Sequence, residues 1–394
     1  MNKEIQKLCL MADKESRLIV GLMSGTSLDG LDIALCRIHG SGRQTRLAVE
    51  EFETLPYSED FKADVKSVFS KQQVDLQKLS LLNVLIGTLH ADMILSMLGK
   101  WGVSASDIDC IASHGQTIYH APRRLHQLTG YPDATLQIGD GDHLAVKTAI
   151  LTLSDFRQKH IAAGGEGAPL ALYGDYILFS SEEENRILLN IGGISNFTYL
   201  PGDGNASRVV CTDTGPGNTL TDALSRKYFN SPFDNDGTYA RSGKVIPSLL
   251  NAMLAHPFFR EDLPKTTGPE LFNLNFVEES KALAGISEAN PADVIATVSL
   301  LTAHSIANGI KEITGKENLV VYVSGGGCHN SYIMEEIQKC LPHSAIKRTE
   351  ELGFNADAKE AALFALLANE TICGSVIQTG GGPAVMMGKI SLPL

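Results

Sequence analysis

The chain opens on short apolar runs broken by small polar turns. Leu18–Leu22 and Leu31–Leu35 are two such runs, the second carrying Asp32. Ser24, Gly25, Thr26, Ser27, Asp29 and Gly30 lie between them. This pattern predicts strand, tight turn, strand. Leu47–Leu55, ahead of Pro56, predicts a third strand. Residues 60–100 then change to a helical period, through Phe61, Val65, Val68 and Phe69 and then Leu82, Leu85, Ile86, Leu89 and Met93. A buried strand is predicted at Ile108–Ala112, ending in Ser113–Thr117, and another at Ala149–Leu153, ending in Ser154–Arg157. Half a chain on, Arg186–Leu200 repeats the opening: apolar run, Gly/Asn/Ser turn, apolar run. Val209–Thr212 predicts a strand ending in Asp213–Asn218, with a helix from Thr219. Residues 291–313 predict a helix, and Leu319–Val323 a strand ending in Ser324–Gly327. Asn330 suits the N-cap of the next helix. A last helix is predicted over Asp357–Asn369, with Glu360 near its start. Strands alternating with helices, with glycine turns at strand ends, predict an α/β fold whose ligands gather at the carboxyl ends of strands.

Composition adds bounds. At 394 residues two domains are expected. They are placed at 1–145 and 146–394, with the tail from about 375 packing back on the first. The two similar hairpins half a chain apart suit a duplicated fold. A formal charge of −12 argues against nucleic acid and against an anionic membrane surface. Seven cysteines, scattered singly without a C-x-x-C, suit reduced thiols in a cytoplasm. The N-terminus lacks an apolar run of signal-peptide length, and no segment is read as approaching the length of a membrane span.

Several stations carry candidate chemistry. Glycines and hydroxyl residues in the first turn present backbone N–H groups that suit phosphate oxygens, and its aspartates would then need a divalent cation. Alone, the same turn reads as an ordinary hairpin. Gly192 and Gly193 repeat it, so each hairpin could grip one side of a triphosphate. Gly325, Gly326 and Gly327 admit a flat ligand or a phosphate, or simply make a tight turn. Asp213, before a glycine turn and a helix start, suits a rigidly held general base, or a helix cap. His114 and Thr117 could bind a polar substrate, and Arg157 a carboxylate, unless Arg157 pairs internally with Asp155. Glu166 in its glycine loop reads as solvated, and Glu360 as a dipole-matched helix start. No G-x-x-x-x-G-K-[ST], H-E-x-x-H or strand-following G-x-G-x-x-G is present.

In order, the chain carries GLMSGTSLDG at 21–30, SHGQT at 113–117, LQIGD at 136–140, DFR at 155–157, GGEGAPL at 164–170, LNIGG at 189–193 and DTGPGN at 213–218. Each is short, but the ordered series resembles the anhydro-N-acetylmuramic acid kinases, from about residue 18 to the C-terminus. The resemblance implies the two-domain sugar kinase/Hsp70/actin fold, a duplicated ribonuclease H-like arrangement with ATP in an interdomain cleft. It implies that 1,6-anhydro-N-acetylmuramic acid, water and ATP give N-acetylmuramic acid 6-phosphate and ADP, in cell-wall recycling. Asp213 matches the catalytic base. Gly25, Thr26, Ser27, Leu28, Asp29, Gly30, Leu31 and Asp32 match the ATP-phosphate segment. Gly192, Gly193, Gly325, Gly326 and Gly327 complete the nucleotide cradle. His114, Thr117, Arg157 and Glu360 match substrate-side positions. Mg²⁺ is expected with ATP, without assigned ligands, and a homodimer is expected. Three departures stand out: Glu166 where the family often has Gln, Ala171–Asp175 in place of the usual segment, and a longer stretch before Leu18.

Two other readings share ATP binding: a sugar-independent ATPase or activator of the same fold, and a non-catalytic nucleotide-binding protein. Only the kinase reading requires anhydro-sugar for ADP release.

Overall fold

The alternating runs at the start of the chain pair as the pattern predicts. In the computed structural model, β1 (Ser16–Ser24) and β2 (Gly30–His39) form an antiparallel hairpin, with Met23 opposite Asp32. β3 (Arg46–Pro56) pairs antiparallel with β2. The structure describes residues 2–315, 318–355, 357–376, 378–380 and 382–394.

β4 (Cys110–Ala121) lies parallel to β1, and β6 (Thr152–Ser154) parallel to β4. β5 (Ala134–Ile138) pairs antiparallel with the far half of β4. The second half of the chain repeats the plan. β7 (Asn185–Ile191), β8 (Ile194–Leu200) and β9 (Val210–Pro216) are an antiparallel meander. β10 (Leu319–Ser324) joins parallel to β7, and β11 (Ala345–Arg348) parallel to β10. Both sheets thus share one order: the meander's third, second and first strands, then two parallel strands. One sheet runs β3-β2-β1-β4-β6 and the other β9-β8-β7-β10-β11. This duplicated ribonuclease H-like topology is the α/β architecture of sugar kinases and actin-like proteins.

The chain divides into two units, Met1–Leu178 with Phe354–Leu394, and Phe179–Gly353. The boundary expected at 145/146 lies elsewhere for a physical reason. β6 completes the first sheet, and the C-terminal helix Lys359–Cys373 returns to pack on β1 and β2. β12 (Lys389–Ser391) then closes the edge of the first sheet, antiparallel to β6. No propensity within residues 146–178 could reveal that order, because it depends on a helix 200 residues later.

Each unit has its own core. In the first, Val20, Leu22, Leu31 and Ile33 pack with Ile86, Ile94 and Met97 from the helix Leu76–Trp101. In the second, Ile187, Leu189 and Val321 pack with Ile306 and Ile310 from the helix Pro291–Thr314 and with Ile333 and Ile337. The helix over 60–100 resolves into two, Glu59–Val68 and Leu76–Trp101. The second has 26 residues and is long and apolar enough to cross a membrane, so the expectation that no segment approaches that length is corrected. Here Leu82, Ile86, His90, Ala91, Ile94, Met97 and Leu98 are buried against the first unit's core, while Leu81, Val84 and Leu85 are exposed.

The helix Lys359–Cys373 can lie on β1 because Gly21 has no side chain. A Cβ there would stand 2.0 Å from the carbonyl oxygen of Ala361. That approach places the first turn of the helix, with Glu360, beside the hairpin. Gly21→Ala should therefore force helix and strand apart and cost about 1–3 kcal/mol. The unfolding midpoint in urea measures it, and an unchanged midpoint would show that the contact carries no weight.

Candidate functional site

The first hairpin turn runs from Gly25 to Asp29. Leu28 adopts φ +61° although it is not a glycine, and its side chain is 1% exposed in the first core. Burial of that leucine holds the backbone left-handed and leaves Thr26 and Ser27 outward. Leu28 N–H donates to Gly25 O at 3.3 Å, and Tyr57 N–H to Asp29 O at 3.2 Å. Gly30, Leu31 and Asp32 continue into β2. Asp32 Oδ1 accepts from Thr54 Oγ1 at 2.6 Å. Burial, and then Asp357 and Asp29, raises the Asp32 carboxyl above its ordinary range against that hydrogen bond. Glu360 is solvent-accessible yet crowded by surrounding protein. That crowding, and then Asp32, raises its carboxyl too, while Lys359 and Arg157 oppose the shift.

SHGQT does not end a strand. It lies inside the twelve residues of β4, which bends at Gly115 (φ +71°); beyond it Gln116 still pairs with Ser24 of β1, and the strand goes on to pair with β5. His114 is 2% exposed, and both its ring nitrogens are engaged. Arg157 Nε donates to His114 Nε2 at 2.9 Å, so Nδ1 carries the proton and donates to Gly115 O at 2.9 Å. Burial first, then the Arg157 charge, pushes its pKa down to about 3. His114 therefore orients Arg157 rather than presenting a polar atom of its own. Arg157 Nη1 also donates to Gly167 O at 2.8 Å. The guanidinium is thus held from two sides, and a carboxylate would meet its Nη2 side. Thr117 is half-buried, and its Oγ1 accepts from Gln137 Nε2 at 3.3 Å. Asp155, at φ +55°, turns away from Arg157 and pairs with Lys389. The internal Asp155–Arg157 pair is not formed.

In the second unit, Asp213 sits within β9, which continues to Pro216 rather than ending at Thr212. Its N–H donates to Lys265 O at 3.0 Å, and Thr267 N–H donates to its Oδ2 at 2.8 Å. The segment 265–267 therefore orients the carboxylate from outside the motif. β10 lies beside β7 with Ser324 opposite Asn190, so the turns that follow, at 192–193 and 325–327, are neighbours. Gly325 has φ +80°, and a Cβ there would lie 2.6 Å from Asn190 Oδ1. The amides of Gly217, Asn218 and Thr219 donate to the carbonyls of Gly193, Gly192 and Gly193 at 2.8, 2.8 and 3.1 Å. Three glycine turns and Asp213 thus form one assembly. The first unit separately groups the turn Gly25–Asp29, Asp32, Glu360, Arg157 and His114. Gln116, Lys265 and Thr267 were not singled out from the sequence. Gln116 stood inside a quoted motif, but its partners lie up to 92 residues away.

A family model described as anhydro-N-acetylmuramic acid kinase matches residues 17–391. The chain belongs to that family. A relative of that name from Pseudoalteromonas atlantica is 53% identical over 401 residues and covers 100% of both chains. One from Pseudoalteromonas translucida is 48% identical, covering 99% of each. One from Caldanaerobacter subterraneus is 41% identical, over 98% of this chain and 100% of its own. Among solved structures, the activator of 2-hydroxyisocaproyl-CoA dehydratase from Clostridium difficile with bound ADPNP is 13% identical at a TM-score of 0.39. It covers 90% of this chain and 96% of its own.

The departures from the family pattern are accommodated locally. Glu166 pairs with Arg124 at 3.2 Å, which offsets its charge. Within Ala171–Asp175, now the start of the helix Ala171–Phe179, Asp175 is 3% exposed and pairs with Lys359 at 2.7 Å. The new acid therefore anchors the residue next to Glu360.

Folded His114 stays neutral well below the ordinary histidine value of 6.5, so the unfolded chain binds the extra proton as pH falls. Its contribution to stability is whole above 6.5 and is lost as pH falls toward about 3. His114→Gln should flatten the fall in unfolding free energy between pH 7 and 5, by up to about 1.4 kcal/mol per pH unit. Denaturation at several pH values tests this. An unchanged slope would mean that His114 takes up its proton over the same pH range in the folded and unfolded chains.

Proposed function

We propose that the chain opens the 1,6-anhydro ring of 1,6-anhydro-N-acetylmuramic acid with water and phosphorylates O6 from ATP. The products are N-acetylmuramic acid 6-phosphate and ADP, in peptidoglycan recycling. The observation that carries this reading is the family membership along the whole chain, joined to an Asp213 carboxylate fixed by the Thr267 amide. Asp213 takes a proton from water as the water oxygen bonds to C1. The C1–O6 bond breaks, O6 bonds to the γ-phosphorus, and ADP departs. Positioning and charge stabilisation carry most of such a transfer.

Gly25 to Asp32 hold the phosphates. Gly192, Gly193 and Gly325 to Gly327 hold the rest of the nucleotide. Arg157, steadied by His114, meets the lactyl carboxylate, and Thr117 and Glu360 face the sugar. Asp29 and Asp32 offer hard oxygen donors that would suit Mg²⁺, and the Asp32 carboxyl, raised first by burial and then by Asp357 and Asp29, supports that reading. Among the described residues no group of three or more His, Cys, Asp or Glu could hold a metal. When bound, Mg²⁺ offsets phosphate charge. We further read the chain as a cytoplasmic homodimer that works without a membrane. The free cysteines, the exposed Leu81, Val84 and Leu85, and the buried face of their helix support this.

Turnover in ¹⁸O-water followed by mass spectrometry of the sugar phosphate tests the ring opening. One label at C1 is expected, and its absence would exclude attack by water. Asp213→Asn should abolish turnover while ATP still binds, as calorimetry would show. Retained turnover would remove Asp213 from the base role.

A further inference from the structure

Behind the first phosphate turn four polar side chains are buried together. Ser24, Tyr57, His90 and Gln116 are 1%, 5%, 1% and 0% exposed. They come from β1, the residue after β3, the helix Leu76–Trp101 and β4. Ser24 Oγ lies 2.5 Å from Gln116 Oε1 and 2.8 Å from Tyr57 Oη. Tyr57 Oη lies 2.8 Å from His90 Nε2. Gln116 Nε2 faces two carbonyls, of Thr117 at 3.2 Å and of Gly25 at 3.4 Å.

Proton positions follow by elimination. Backbone carbonyls only accept, so the amide nitrogen of Gln116 faces them and Oε1 faces Ser24. Oε1 only accepts, so Ser24 spends its one proton on Gln116. Ser24 Oγ then accepts from Tyr57, whose proton is spent in turn. Tyr57 Oη must accept from His90 Nε2–H. His90 is therefore the Nε2–H tautomer, opposite to His114. Its Nδ1 is a bare lone pair, and this atom has no hydrogen-bond partner among the described residues. Burial keeps the ring neutral, with its pKa pushed down to about 4. Every proton points the same way, from His90 through Tyr57 and Ser24 to Gln116, and from Gln116 to the carbonyl of Gly25.

We infer that His90, Tyr57, Ser24 and Gln116 are positioning residues: a one-way hydrogen-bond chain that fixes the Gly25 carbonyl and with it the backbone of the phosphate turn. The inference rests on the reading of that turn as the phosphate site. Tyr57 braces the turn twice, because its own N–H donates to Asp29 O. Removing a middle member leaves a buried donor on one side and a buried acceptor on the other, and the turn loses its reference point.

The wild-type full chain with ¹⁵N-labelled histidine gives the first test. The His90 resonances, assigned by their loss in His90→Gln, should show a protonated Nε2 and a bare Nδ1. A protonated Nδ1 would reverse the chain and overturn the inference, whatever the enzyme phosphorylates. The second test is ATP binding by calorimetry, without sugar, on variants whose melting confirms folding. Tyr57→Phe and His90→Leu should weaken ATP binding about tenfold. His90→Gln, which keeps an N–H donor, should bind like wild type. In turnover, the rise in KM for ATP should exceed any rise for the sugar. Equal ATP affinity in all variants, or equal losses in His90→Gln and His90→Leu, would overturn the role. Failure of the nucleotide reading shows itself separately, as a wild-type chain that does not bind ATP.

Discussion

Backbone carbonyls in the polar turns beside the central strands must find donors. The two units meet this constraint differently. In the first, Gly25 O accepts from Leu28 N–H within the turn and from Gln116 on the neighbouring strand. In the second, Gly192 and Gly193 accept from the amides of Gly217, Asn218 and Thr219. The second solution spends helix-start amides on another turn and so locks the turn that follows β9 to the hairpin. The first leaves the outward face of its turn available and braces it from behind with side chains. One sheet order, used twice, thus gives a braced hairpin turn in one unit and an interlocked set of glycine turns in the other.

The same logic organises charge. Arg157 is held by hydrogen bonds to neutral His114 and to Gly167 O, while Glu360 acts on it only through its charge. Asp155, the nearest acid in sequence, is drawn off by Lys389 from the C-terminal edge strand. Asp175 pairs with Lys359, which leaves Glu360 beside Asp32. The C-terminal return of the chain supplies both lysines. It is therefore part of the site as well as of the fold.

Much of this was legible in the sequence. Short apolar runs around glycine turns predicted both hairpins, and Asn330 caps its helix through Ile333 N–H as its residue type implies. The site was legible as motifs, because glycines, Asp213 and Arg157 carry chemistry in their residue types. What stayed hidden depends on distant pairing. The first unit is completed by Lys359–Cys373, which no local signal joins to β1. SHGQT reads as the end of a strand, yet it lies inside one, because Gly115 bends the backbone without ending the ladder. Ser24, Tyr57 and His90 each look unremarkable, and only folding makes them consecutive. Asp155–Arg157 looked like a pair by spacing, but the left-handed backbone at Asp155 turns its carboxylate to Lys389.

As a member of its family, this chain couples ATP cleavage to an anhydro-sugar. The most direct measurement is ADP release by the purified full chain with Mg²⁺ and ATP, with and without 1,6-anhydro-N-acetylmuramic acid, alongside the sugar phosphate formed. The account predicts ADP only in the presence of the sugar, in equal amount to the sugar phosphate. ADP release at the same rate without the sugar would contradict it.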